Sequence, residues 1–241
     1  MEWREDGILL SMRPHGEGSA IIEVFTSGHG RHFGVVRGGA SRKRAPLLQP
    51  GAQLDLTWRA RLEDQIGSFL AEPVQSRAAV LESPLALAGL TAACGLLHIS
   101  LAERDPHPQL YRRTLSLMDA MAGGADWLGD YLRWELLLLD EIGFGLDLSR
   151  CALTGQRDDL AYVSPRTGRA VSRAAAGDWA PKLLPLPQAL MGQGPVSRAE
   201  AAQALAVTGH FLSRELANES RPVALPESRN RLLARLSRDT L

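Results

Sequence analysis

Five short apolar runs separated by glycine-rich turns fill the first 80 residues, and nothing else in the chain constrains the fold as strongly. Ile8-Leu-Leu-Ser-Met, Ala20-Ile-Ile-Glu-Val-Phe-Thr, Phe33-Gly-Val-Val, Leu54-Asp-Leu-Thr-Trp and Ser68-Phe-Leu-Ala have strand length and strand composition. Between them lie Pro14-His-Gly-Glu-Gly, Ser27-Gly-His-Gly, Gly38-Gly39, Pro50-Gly51 and Asp64-Gln-Ile-Gly67. No helical pattern of useful length interrupts them. Five such strands predict a small barrel or sandwich, and a five-stranded barrel of the OB type fits the size and count.

The composition shifts near Pro84, so two domains are expected: a barrel over 1–80 and a helical domain over 81–241. Residues 85–103 are rich in Ala and Leu behind the helix start Ser83-Pro84. Helices are also predicted over Pro108 to Met121 and from about Ala125 to Ile142, the latter with Leu132, Leu136, Leu139 and Ile142 on one side. Residues 146–194 are crowded with turn formers and read as an irregular insert with one hairpin, Leu160-Ala-Tyr-Val to Ala170-Val-Ser. Ser197, with Glu200 three residues on, opens a further helix to about Leu216. Pro226 starts a last helix with Leu232, Leu233 and Leu236 inward and Arg229, Arg231, Arg235 and Arg238 mostly outward. The fold class is therefore α+β.

The start of the chain is charged and lacks the apolar stretch of a secretory signal. The longest apolar stretches, such as Leu136 to Leu139, are too short to span a bilayer, so no membrane partner is expected. Two distant cysteines, Cys94 and Cys151, give no disulfide framework and fit a reducing cytoplasm.

The chain has 27 basic and 27 acidic residues, yet Val24 to Leu54 contains no acid at all. That window holds Arg31, Arg37, Arg42, Lys43 and Arg44, with His29 and His32 beside them. A neutral protein with such a local cluster has a docking surface for an anion, and nucleic acid leads because phosphate contacts give sequence-independent affinity. Gly38-Gly39 would let the backbone approach a ligand, and Ser41-Arg-Lys-Arg would offer three adjacent cations on a mobile segment. Phe33 and Trp58 lie on neighbouring predicted strands and can be read as stacking platforms for bases or simply as core aromatics.

Other constellations say less. Cys151 opens the insert where a zinc ribbon would sit, but a ribbon needs four soft ligands, and Thr154, Ser172 and Ala175 stand where more would be sought. No metal and no cofactor are expected. Gly-x-Ser-x-Gly, the phosphate-binding loop and His-Glu-x-x-His are all absent, so the chain is not expected to be an enzyme. In Tyr131-Leu-Arg-Trp-Glu, Arg133 and Trp134 could form a pocket for an acidic, hydrophobic peptide tail, or lie on an ordinary core helix.

Several segments together resemble a known family. Asp6-Gly-Ile-Leu-Leu-Ser, Gly16-Glu-Gly-Ser, Thr26-Ser-Gly-His-Gly-Arg and Val36-Arg-Gly-Gly-Ala look like the N-terminal barrel of the bacterial recombination mediators of the RecO family. The likeness continues through Tyr131-Leu-Arg-Trp-Glu-Leu-Leu-Leu-Leu, Gly143-Phe-Gly-Leu-Asp-Leu, Cys151-Ala-Leu-Thr-Gly and Tyr162-Val-Ser-Pro-Arg-Thr-Gly-Arg-Ala-Val-Ser. It implies an OB-fold domain joined to a helical domain with a zinc-ribbon-like insert, here degenerate because only Cys151 matches the zinc cysteines of some members. It implies a non-enzymatic, nucleoid-associated role in DNA repair: binding single- and double-stranded DNA, annealing complementary strands, and, with RecR, loading RecA onto strands coated by the single-stranded-DNA-binding protein SSB. It places DNA contacts on Arg31, Arg37, Arg42, Lys43 and Arg44, and recognition of the acidic SSB C-terminal tail in the segment of Arg133. The rival readings are a protein–protein adaptor for acidic-hydrophobic tails and an RNA-binding OB-fold accessory factor.

Overall fold

The structure, a computed structural model, describes residues 1–62, 65–192, 194–217 and 224–238. They fall into two compact units, Met1–Ala125 and Asp126–Leu241. In the first, β1 (Glu2–His15), β2 (Ser19–Thr26), β3 (Gly30–Val36), β4 (Gln53–Arg59) and β5 (Ser68–Gln75) close into a barrel in the order β1-β2-β3-β5-β4. Every pairing is antiparallel except the parallel closure of β3 on β5 at Val35 and Ser68. This is the five-stranded OB-type barrel that the turns predict. Asp64 of the expected 64–67 turn lies outside the described residues.

Period-two alternation puts Leu54, Leu56 and Trp58 of β4 inside the barrel with Leu9, Ile22, Val24, Val36 and Phe69. Strand β2 is buried on both faces, which is why its sequence runs apolar almost without a break. Ile22 and Val24 point inward. Glu23 and Phe25 point outward and are covered by α1 (Pro84–Ser100) and α2 (Pro108–Ala122): His98 of α1 meets Glu23, and Tyr111 of α2 packs edge-on against Phe25 at 5.7 Å. Ser83 starts α1 as anticipated, its Oγ accepting the Ala86 amide at 3.2 Å. This compact unit thus reaches past residue 80, where the composition changes.

The link between α1 and α2 crosses the start of β3. Gly30 has φ +61°, and a Cβ there would lie 2.1 Å from the Asp105 carbonyl oxygen, so only glycine admits the crossing. The Arg104 amide then donates to the Arg31 carbonyl at 2.8 Å, which fixes the link against the barrel.

The second unit begins with α3 (Leu128–Glu141). A small sheet in the order β7-β6-β8 follows, from β6 (Leu160–Val163), β7 (Ala170–Ser172) and β8 (Leu184–Pro185), with the single-turn α4 (Arg173–Ala176) between β7 and β8. β6 and β7 pair antiparallel as the predicted hairpin. α5 (Arg198–Leu216) opens with the full capping box of Ser197 and Glu200, and α6 (Glu227–Arg238) packs on it.

Two expectations need correction in this unit. The buried stripe of α3 includes Tyr131, Trp134, Glu135 and Leu138 beside Leu132 and Leu139, while Leu136 and Ile142 are only half-buried. Arg229, expected outward, is 2% exposed. The two corrections share one cause. Arg229 Nε and Nη2 donate to Glu135 Oε1 and Oε2, each at 2.9 Å, and Nη2 also donates to the Leu205 carbonyl at 2.8 Å. Thr208 Oγ1 donates to the same carboxylate at 2.5 Å. A forked pair of this kind joins α3, α5 and α6 at one point.

Removing one partner of a buried pair strands the other. Glu135→Ala should therefore cost ~3–5 kcal/mol of stability in urea unfolding, whereas Glu135→Leu with Arg229→Met should recover most of the loss. A single-variant cost within ~0.5 kcal/mol, the range of an ordinary surface change, would show that the pair does not hold the unit together.

Candidate nucleic-acid interface

The segment after β3 is a chain of tight turns. Gly38, at φ +68°, lets the first turn close. The Gly39 amide donates to Val36, Ser41 to Gly38, and Arg44 and Ala45 to Ser41, while Ala40 donates to Gly18 in the β1–β2 turn. The segment is thus a hydrogen-bonded turn joined to the neighbouring hairpin. A Cβ at Gly39 would lie 2.9 Å from that of Ala20, so the position is closely packed. Arg37, Arg42 and Lys43 are exposed and Arg44 is half-buried. None of the four makes an ion pair with the described residues. Exposed Arg13, near the end of β1, belongs to that same hairpin.

Arg31 differs from its four companions. Its Nη1 donates to Glu23 Oε1 at 2.6 Å and its Nε to the Leu101 carbonyl at 3.0 Å. Glu23 is fully buried, and it also takes Ser11 Oγ at 3.0 Å and has His98 Nδ1 2.8 Å away. The window that lacks acids in sequence has one in space, directly across the β2–β3 ladder, where Glu23 pairs with Phe33. Arg31 is thus engaged within the fold, unlike the four cations of the turn.

Phe33 and Trp58 do not form a common platform. Trp58 is 2% exposed, lies in the barrel core and donates Nε1 to the Ile66 carbonyl at 3.2 Å. Phe33 points outward, half-buried, with the Arg31 guanidinium 5.5 Å from its ring centroid. Two open cavities adjoin this wall. One, of about 350 Å³, is lined by Phe33, Arg13, Ile66, Glu103 and Arg104. The other, of about 310 Å³, is lined by Trp3, His29, His32, Trp58 and Arg104 among others. Arg104 borders both. Sequence reading missed Arg13 and Arg104: neither sits in the acid-free window, and only the α1–α2 crossing brings Arg104 to the barrel.

Burial pushes the His32 imidazole below its ordinary value, overcoming the opposing effect of its bond with the Phe33 carbonyl. Its neutral form is therefore the one that fits the fold.

In the second unit, Arg133 and Trp134 turn away from each other. Arg133 is exposed and donates to Asp130 at 2.7 Å, while Trp134 lies in the core. They do not build the joint pocket expected for a peptide tail. Cys151 is buried, and its Sγ accepts from the Ser172 amide at 3.3 Å and from the Ser172 hydroxyl at 3.5 Å. Burial pushes the thiol up, but the combined donors of Ser172 and Thr154 outweigh it and bring the thiol down to about 6. Hydroxyl donors thus surround one sulfur where a zinc ribbon would need three more soft ligands, and the residues present do not fit the metal. No group of three or more His, Cys, Asp or Glu able to hold a metal occurs among the described residues. No helix among them is long and apolar enough to cross a membrane.

A closed OB-type barrel with a pinned cationic turn, followed by a helical unit with a small sheet inserted, defines the class to which this chain belongs. The family model for the recombination protein O N terminal matches residues 1–77, and that for its C terminal matches residues 81–222. The DNA repair protein RecO of Cereibacter sphaeroides is 63% identical over 238 residues, 99% of each chain. That of Roseobacter denitrificans is 60% identical over 239 residues, and that of Dinoroseobacter shibae 57% over 239, again with 99% of each chain covered. The chain is a member of the recombination protein O family.

Two outcomes follow from the geometry. Arg31→Ala should destabilise the protein by ~2–4 kcal/mol by stranding Glu23, while Arg42→Ala should stay within ~0.5 kcal/mol; equal effects in urea unfolding would contradict the division. A histidine whose folded value is depressed contributes stability that is complete above its unfolded value, ~6.5, and is lost as pH falls through the folded one. The unfolding midpoint should therefore drop between pH 7.5 and pH 5, and less so in His32→Phe. An identical drop in both would exclude His32 as a cause.

Proposed function

We propose that this protein is a non-catalytic DNA-binding mediator of recombinational repair. It binds single- and double-stranded DNA, anneals complementary strands and, with RecR, helps RecA onto strands coated by SSB. One observation carries the reading: Arg37, Arg42, Lys43 and Arg44 stand on a turn fastened to an OB-type barrel and lack ion-pair partners among the described residues. Family membership and the name DNA repair protein carried by its relatives support it.

The physical role of such a surface is to neutralise phosphates. Cations held on a turn meet the backbone of a strand and leave its base edges free to pair with a second strand. Annealing then follows from lowered repulsion between two strands rather than from any chemical step. Contact with the SSB tail and with RecR rests on the family resemblance. For the tail, Arg133 is exposed on α3, but its neighbour Trp134 is not available to join it.

A salt titration of a fluorescent single-stranded oligonucleotide tests the proposal. Wild-type binding should weaken steeply with salt. Each phosphate contact contributes ~0.7 to the log–log slope on single strands, so Arg42→Ala/Lys43→Ala/Arg44→Ala should lower the slope by about 2. An unchanged slope would move the phosphate contacts elsewhere, with exposed Arg231, Arg235 and Arg238 on α6 as the next surface to vary. Binding of RNA in preference to DNA of the same sequence would favour an RNA-binding barrel, and no binding of either would favour an adaptor.

A further inference from the structure

We propose that the cavity beside Trp3 is a pocket for one unpaired nucleobase, with an N–H of the base donating to His32 Nε2 and the adjoining phosphate held by Arg104. The proposal rests on the single-strand reading above and assigns it a second, non-ionic component.

The walls of the cavity are planar. Trp3 stacks on His29 with ring centroids 4.1 Å apart and planes 9° from parallel, and lies nearly parallel to Trp58 at 5.9 Å. His32 meets Trp3 and Trp58 edge-on at 5.4 Å and 4.8 Å. Glu5 holds the arrangement: its carboxylate accepts the Gly28 amide at 2.7 Å and lies 2.9 Å from His29 Nδ1, which sets the imidazole over Trp3. The cavity of about 310 Å³ exceeds the volume of a purine.

His32 supplies the polar recognition. The residue is only 4% exposed, and its Nδ1 lies 3.0 Å from the Phe33 carbonyl. That bond requires the proton on Nδ1 and leaves Nε2 as a lone-pair acceptor. Nε2 has no hydrogen-bond partner among the described residues and is not among their sealed, unpaired polar atoms, and the residue lines the cavity. An acceptor in an aromatic chamber asks for a flat ligand with an N–H group. A carboxylate or phosphate would find no donor on this imidazole, but each of the four bases presents an N–H on its pairing edge. The pocket therefore takes any base, provided the base is unpaired.

Arg104 stands at the boundary of this cavity and the one beside Phe33 and Arg13. Its backbone is left-handed, with φ +62°, and is held by its amide bond to Arg31. One guanidinium nitrogen, Nη2, donates to the Gln65 carbonyl at 3.2 Å, and the remaining donors are left for a phosphate.

The experiment compares oligonucleotides of thymidine with the same backbone built from abasic residues, in salt low enough for both to bind. Wild type should bind the base-bearing strand ~10-fold more tightly, the order expected for one stacked base, and only that strand should quench tryptophan fluorescence. His32→Phe keeps the ring and removes the acceptor, so it should lose several-fold of the preference while its affinity for the abasic strand stays the same. Arg104→Asn tolerates the left-handed backbone and should weaken both strands alike. Equal binding of the two strands by wild type, with a normal salt slope, would overturn the pocket and leave the cationic turn standing. Absence of salt-dependent binding to either strand would overturn the turn and the pocket together. The wild-type comparison needs no variant, so it decides the matter even if His32→Phe folds poorly.

Discussion

The fully buried carboxylate of Glu23 is the interaction on which the first unit depends. Its partners come from three elements: Arg31 from β3, Ser11 from β1 and His98 from α1. A carboxylate withdrawn from water costs several kcal/mol unless its hydrogen bonds are supplied by the fold, so all three elements must arrive in register. The consequence travels outward. Arg31, drawn to Glu23, also grips the Leu101 carbonyl, and the Arg31 carbonyl takes the amide of Arg104. The α1–α2 link is thereby set over Gly30, and Arg104 is delivered to the rim of both cavities. Arg31, one of the cations of the acid-free window, thus helps to place Arg104, which lies outside that window.

The second unit repeats the device with Glu135 and Arg229. In both units an acid is sealed inside, facing an arginine. A chain with 27 bases and 27 acids is neutral on paper, but these pairs remove equal numbers of each sign from the surface, and the exposed charge is patterned by what is left. Near the barrel what is left includes Arg13, Arg37, Arg42, Lys43 and Arg44. On α6, after Arg229 is withdrawn, it includes Arg231, Arg235 and Arg238, all exposed.

Local chemistry was legible in the sequence and long-range pairing was not. The glycine turns, the Ser83 cap, the Ser197–Glu200 box and the β6–β7 hairpin are each decided by a few adjacent residues, and all were readable. Trp58, left open between platform and core, keeps the parity of Leu54 and Leu56 along β4 and lies inside with them. Glu23 and Arg31 lie on different strands, and Glu135 and Arg229 are 94 positions apart. No periodicity links such residues, and a single charged position inside an apolar run does not announce its partner. The candidate site was therefore half visible: the cations of the turn stand out as an acid-free window, while His32, Trp3 and Arg104 meet only because the barrel closes and the α1–α2 link crosses β3.

Under the proposed function, the turn and the cavity would divide the work of holding a strand in a way that suits annealing. A surface made only of cations binds single and double strands by the same forces and cannot tell one from the other except by charge density. A chamber that accepts one base through an aromatic wall and a neutral acceptor adds affinity only where a base is free, and that contribution vanishes once the base is paired. The neutrality of His32 matters here, since a protonated ring would lose its acceptor, and the burial that depresses its protonation preserves it. Duplex formation would then withdraw the base from the pocket and leave only the phosphate contacts, which salt and competing strands readily exchange. A barrel that worked as proposed would grip a strand before pairing and loosen its hold as pairing proceeded.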